Sequence, residues 1–182
     1  VSLKNAMCWN NVGVVPLLLL KNDVDDEDLI FACKHGHTEI VRLLLALRLN
    51  PAALDNEALL RASARGHTEI VRMLLGPERG VDPATRNNAA LRAASANGHT
   101  EIVRLLLALE RGVDSAALTE LPLDRGVNPA ANDNEALRYA CLNGRTEIVR
   151  LLLDLPLERG VNPSAVNNYA LRWAYRNRSH AP

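Results

Sequence analysis

The sequence predicts an all-α chain in which pairs of short helices stack side by side into a solenoid. Two observations carry this. The block Gly36-His37-Thr38-Glu39-Ile40-Val41-Arg42-Leu43-Leu44-Leu45 recurs unchanged from Gly98, and with one change each from Gly66 (Met73) and Gly144 (Arg145). Seven residues before each block starts stands a Leu with an Ala three residues later, at Leu29/Ala32, Leu59/Ala62, Leu91/Ala94 and Leu137/Ala140. Self-similarity in fixed phase marks a repeat architecture, because a single helix pair cannot bury its apolar stripe and must stack on neighbours. A weaker copy starts at Asn10 behind Leu3/Ala6, and a last pair, Leu171/Ala174, has no block after it. The expectation is about five repeats plus a terminal half-repeat over residues 1–177, as a single domain, with 178–182 as a tail.

Each element has a local reason. Leu and Ala three apart share a helix face, and the small Ala permits close approach of the next helix. Asn56, Asn88, Asn134 and Asn168, three residues before that Leu, are expected to cap the first helix, with Asp26 in the same role for the earliest of these. Gly36 and its equivalents supply the tight turn, Thr38 and its equivalents a cap, and Glu39 a favourable first-turn charge. Ile40, Val41, Leu44 and Leu45 form the apolar stripe of the second helix, which Leu109 and Leu155 are expected to lengthen in later copies. The spacing from Gly98 to Gly144 is 14 residues longer than the one before it. The excess, about 113–126, holds a cap residue (Asp114), helix formers and Pro122, and reads as one inserted short helix.

These residues resemble the ankyrin repeat family, whose Gly-His-x-Glu-Ile-Val-x-Leu-Leu-Leu signature stands at 36–45, 66–75 and 98–107 and nearly so at 144–153. The resemblance covers essentially the whole chain and implies an ankyrin-type helix-turn-helix solenoid that acts as a protein-binding scaffold. It also implies that the signature His supports the turn by a local hydrogen bond. Two departures stand out. Asn-x-Ala-Leu replaces the family's Thr-Pro-Leu-His, and the eleven residues from Gly80 to Leu91, Gly126 to Leu137 and Gly160 to Leu171 are about three short of the family's projecting hairpin finger. The fingers are therefore expected to be stubby or missing.

Composition narrows the function. The 182 residues carry 21 basic and 21 acidic side chains, a balance that argues against a protein built to grip a phosphate backbone. The longest apolar run, Val12 to Leu20, is broken by Gly13 and Pro16 and falls short of the ~20 residues a membrane span requires. Three cysteines (Cys8, Cys33, Cys141) without CxxC spacing read as core residues and suit a reducing, intracellular compartment, cytoplasm or nucleus. His37, His67 and His99 repeat at a helix spacing of ~8–10 Å, too far apart for one shared ion. The acidic run Asp23 to Asp28 has no calcium-loop spacing and reads as helix-start charge. No GxSxG, HExxH or phosphate-binding Gly loop occurs, so neither catalysis, cofactor nor metal is expected. The Glu and Arg of each block, as in Glu39/Arg42, are expected to pair on a solvated face.

The candidate binding face is what varies between repeats. Positions one and five after each first-helix Leu share a face: Lys4/Cys8, Ile30/Lys34, Leu60/Ala64, Arg92/Ala96, Arg138/Leu142 and Arg172/Arg176, with Trp9, His35, Arg65, Asn97, Asn143 and Asn177 beside them. This stripe mixes bases with apolar residues and contains no acid, which fits an acidic protein partner in a concave groove. Tyr169 and Tyr175 join it as aromatic contacts, whereas Tyr139 and Trp173 are expected to be half-buried between repeats. The expected partner-binding set is Lys4, Ile30, Lys34, Leu60, Arg65, Arg92, Arg138, Leu142, Tyr169, Arg172, Tyr175 and Arg176, on a monomer that needs neither nucleic acid nor membrane. Alternative readings are a spacer or regulatory arm of a longer protein and, given the start at Val1, a secreted pathogen effector that binds a host protein.

Overall fold

The computed structural model describes residues 24–108 and 127–155, with 161, 162, 164, 168 and 172. The weak first copy and the 113–126 insert lie outside them. The chain divides into two compact units, Val1–Asp82 and Pro83–Pro182. The first holds α1 (Asp26–His35), α2 (Thr38–Ala46), α3 (Ala53–Arg65), α4 (Thr68–Leu74) and a 3-10 turn at Pro77–Arg79. The second holds α5 (Thr85–Asn97), α6 (Thr100–Ala108), α7 (Ala131–Leu142) and α8 (Thr146–Leu153). No strand occurs among the described residues, and a helix-turn-helix repeat fold results. Within each unit first helices pack on first helices (α1 on α3, α5 on α7) and second helices on second (α2 on α4, α6 on α8).

The packing follows the expected stripes. Ala32, Ala62, Ala94 and Ala140 have no exposed surface, and neither do Ile40, Val41 and Leu44 or their equivalents Ile70, Val71 and Leu74. Each fully buried Leu, Ile or Val contributes about 1.5–3 kcal/mol relative to exposure. The helix pair turns on glycine: Gly36, Gly66 and Gly98 sit at φ 78°, 81° and 86°, and the N–H groups of Gly36 and His37 both donate to the Ala32 carbonyl. Glycine is required there twice over. A Cβ on Gly36 would stand 2.6 Å from the His67 ring, and one on Gly98 would stand 2.9 Å from the Arg145 side chain.

His67 makes its hydrogen bond to a neighbouring repeat and not within its own turn. Its Nε2, in the tautomer that carries the proton, donates to the Lys34 carbonyl of the preceding repeat (3.2 Å). Arg145 takes the same seat, with Nε donating to the Ala96 carbonyl (3.3 Å). Lys34 and Ala96 are each the fifth residue after their repeat's Leu, so Arg in place of His preserves the tie between repeats. His37, His67 and Arg145 occupy the N-cap positions of α2, α4 and α8 without a side-chain cap bond. The Thr cap expected from sequence is not made, since Thr38 already lies inside the helix and its N–H donates to the Gly36 carbonyl (3.0 Å).

The connection into each first helix differs most from expectation. Asn50 and Asn128 precede a proline, and their Oδ1 atoms accept the N–H of Ala52 (3.0 Å) and Ala130 (2.9 Å) in a tight Asx turn. Three consecutive left-handed residues follow: Leu54-Asp55-Asn56, Arg86-Asn87-Asn88 and Asn132-Asp133-Asn134, with φ between 51° and 60°. A left-handed residue costs about 1–2 kcal/mol unless its side chain tolerates that region. Seven of these nine residues are Asn or Asp, the types that do. The turn closes on itself through Asn56, Asn88 and Asn134, whose N–H groups donate to Ala52, Ala84 and Ala130. This compact turn occupies the place of a hairpin finger.

The same asparagines do not cap their own helices, as the sequence suggested. The left-handed turn aims them along the stack instead. Asn56 Oδ1 accepts the N–H of Asp82 (3.1 Å), Asn88 that of Asn128 (2.9 Å) and Asn134 that of Asn162 (2.8 Å). Asp26 does likewise with Asn50 (2.9 Å), so the cap of α1 falls to Asp25, in a reciprocal box with Asp28. The donor in every case precedes a proline. A further correction concerns Leu155, which does not lengthen α8. The helix ends at Leu153, and Pro156 disfavours helical geometry in the residue before it.

Asn88→Ala should cost about 2–3 kcal/mol in urea unfolding, through an orphaned N–H and an Ala forced into the left-handed region, with Asn88→Asp costing less than half of that. A loss under about 0.5 kcal/mol for the Ala variant would contradict the ladder's role. Arg145→His should stay within about 0.5 kcal/mol of the parent, whereas Arg145→Ala should cost about 1 kcal/mol.

Candidate functional site

The first helices carry the candidate face, and the two units present it differently. In the first unit Ile30, Lys34 and Leu60 are half-buried and Arg65, the last residue of α3, is exposed. In the second unit Arg92, Arg138 and Leu142 are half-buried and Arg172 is exposed. Lys4, Tyr169, Tyr175 and Arg176 lie outside the described residues, as do Trp9 and Trp173. Tyr139 keeps 39% of its surface exposed, more open than the sequence suggested.

An acid that the stripe did not include now enters the second unit. Arg92 Nη1 pairs with Glu135 at 2.8 Å, with both side chains largely covered. Glu135 titrates below its ordinary range because Asn132 donates to it (3.0 Å) and Tyr139 does too, with Arg92 and Arg138 adding positive charge against the opposing effect of burial. Arg92 is thus a bridge between adjacent first helices rather than an open cation. Glu135 stands two residues before Leu137, off the positions read as the groove, which is why spacing alone passed over it. The block ion pairs also differ from expectation: Arg42 reaches Glu39 (3.5 Å), but Arg104 pairs with Glu147 of the following repeat (2.8 Å). Exposed pairs of this kind contribute about 0–1 kcal/mol each.

The first unit gathers bases without an acid. The Phe31 and His35 rings lie 4.4 Å apart, and His35 and His37 stack at 6.0 Å. His35 is held below the ordinary imidazole range by desolvation and then by the charges of Lys34, Arg65 and His67. His37 is lowered by desolvation and then by His35 and His67. Among the described residues neither Lys34 nor Arg65 makes an ion pair, and no cluster there suits a metal ion. Sequence reading treated the signature histidines as turn residues and missed that His35 and Phe31 would join them.

Two other features complete the inventory. Cys33 is buried and its thiol is pushed up to about 12, and burial also raises Cys141, so neither supplies a thiolate near neutral pH. A cleft of about 920 Å³ opens at the loop end of the first unit between Leu45–Pro51 and Arg72–Arg79, where Arg79 Nη1 donates to the Leu45 carbonyl (3.3 Å). No helix among the described residues is long and apolar enough to cross a membrane.

Stacked helix pairs, a glycine turn and side-chain ties between the repeats of each unit define a helical repeat protein. The profile of the family described as "Ankyrin repeats" matches residues 3–87, 29–125 and 79–166, and no curated protein matches the chain. The chain belongs to the ankyrin repeat family. Ankyrin repeats are generally protein–protein interaction modules and typically non-enzymatic scaffolds.

The histidine cluster has a consequence for stability. Lowered folded pKa values mean that the unfolded chain binds more protons, so this contribution is full above the unfolded value of about 6.5 and is lost as pH falls through the lower folded values. Melting temperature should therefore decline as pH is lowered from about 7.5 through 6.5, and less steeply in a His35→Gln/His37→Gln variant. Parallel profiles for the two proteins would refute this.

Proposed function

We propose that this chain is a non-enzymatic scaffold that holds a protein partner on the exposed ends of its first helices, and that the partner presents acidic side chains beside apolar ones. The observation that carries this is the contrast between what repeats and what is exposed. Most of the repeated Leu, Ala, Ile and Val are buried in the stack, while the varying positions keep Lys34, Arg65 and Arg172 at the surface or its edge, with Ile30, Leu60 and Leu142 half-buried on the same helices. Basic and apolar side chains interleaved on rigid helices suit recognition of an extended acidic segment or one face of a folded protein. Lys4, Arg138, Tyr169, Tyr175 and Arg176 extend the proposed set, and Arg92 contributes through its bridge to Glu135. No part of this reading requires a cofactor or a metal.

The test is capture from the source organism's lysate with the wild-type chain and with an Arg65→Glu/Leu142→Glu/Arg172→Glu variant of verified fold. A protein retained by the first and at least about tenfold depleted on the second is the expected result, since loss of hot-spot contacts commonly exceeds about 2 kcal/mol. Identical captures from both would refute the assignment of this face.

A further inference from the structure

The basic cluster at the end of α1 and α3 in the first unit has no counter-charge. Lys34, His35 and Arg65 lie close enough that the two cations act on the imidazole, His67 adds to them, and His37 stacks on His35 at 6.0 Å. Favourable interaction with a helix C-terminus accounts for Lys34 near the end of α1 and Arg65 at the end of α3. It does not account for three imidazoles gathered between them, or for the Phe31 ring that backs His35 at 4.4 Å. Like charges assembled without an acid raise the free energy of the free chain and are relieved by an anionic ligand. The half-buried Phe31 beside the exposed His35 gives that ligand an apolar flank and a cationic one.

We infer that Lys34, His35 and Arg65 form a carboxylate-binding point for an acidic peptide segment, and that binding draws a proton onto His35, so affinity rises as the pH falls. The inference rests on the first-helix ends being the partner face and names the chemistry recognised there. The groups facing His35 are Lys34 on its own helix, Arg65 on α3, and His37 and His67 at the starts of α2 and α4; all are bases. A carboxylate in their midst forms charge-assisted hydrogen bonds with the guanidinium and the imidazolium together. Proton uptake by one histidine couples binding to pH by up to about tenfold per unit between its free and bound pKa values.

The experiment uses the full chain and a fluorescein-labelled hexa-aspartate peptide, followed by anisotropy near pH 7.5 and near pH 6, with His35 titrated by NMR in the absence and presence of saturating peptide. Binding about threefold to tenfold tighter at the lower pH, with the His35 pKa raised by about one unit in the complex, is the expected result. Arg65→Glu should abolish binding, and His35→Gln should bring the affinity ratio between the two pH values toward one. Equal affinity at both pH values overturns the proposal, as does an oligonucleotide of equal length that binds more tightly than the peptide. A peptide that binds, is lost in Arg172→Glu and leaves the His35 titration unmoved also overturns it, while the wider partner face stands. The converse result, normal pH-coupled peptide binding alongside identical lysate captures, supports the carboxylate point and rejects the wider face.

Discussion

The fold depends on one kind of hydrogen bond made again and again: the side-chain oxygen three residues before a first-helix Leu, from Asp26 or from a left-handed Asn, takes an N–H that precedes a proline. Asn56, Asn88 and Asn134 are each at most 9% exposed, and the N–H that Asn88 accepts closes the joint where α5 meets α7. An unmet N–H costs about 1–3 kcal/mol where it is fully buried, and less at a partly buried joint such as this one. The left-handed triplet is what aims the asparagine at its partner. Its own conformational cost is offset by the Asx turn ahead of it, by the closing bond from the third residue, and by residue types that tolerate positive φ.

A second tie lies at the other end of the first helix. A glycine without a side chain leaves room for the His67 ring or the Arg145 guanidinium to reach the preceding repeat's carbonyl. That two unlike side chains fill one seat shows what the position requires, a nitrogen donor about one ring's length from the backbone. The repeated sequence is thus largely a set of instructions for neighbours, and nearest-neighbour coupling is the general economy of repeat folds.

These ties leave the chemistry to the positions that vary. The second unit balances its basic residues internally through Glu135, so Arg92 helps to bind one helix to the next. In the first unit Lys34 and Arg65 remain without a carboxylate, and desolvation first, with the neighbouring bases adding to it, depresses the imidazoles of His35 and His37. One repeated scaffold therefore carries two electrostatic surfaces, and the difference between them arises from a handful of side chains outside the apolar stripes.

The sequence by itself determined the helix pairs, the glycine turns and the buried stripes, because period and amphipathicity are local properties that each repeat states for itself. The Leu-x-x-Ala positions are buried as the spacing requires, and so are the Ile-Val-x-x-Leu-Leu positions except in the last copy, where Val149 is half-buried and Leu153 exposed. It also puts residues one and five after each Leu on one side of the helix, the positions proposed as the partner face. Only the tertiary structure decided where the polar side chains reach. Asn88 could cap its own helix or serve the next repeat, Arg104 could pair with Glu101 or Glu147, and Arg92 could stand open or meet Glu135. The physical reason is that a side-chain hydrogen bond is set by backbone dihedrals and by the distance to a neighbouring repeat. Three residues of left-handed turn redirect every one of those asparagines without leaving a trace in hydrophobic periodicity.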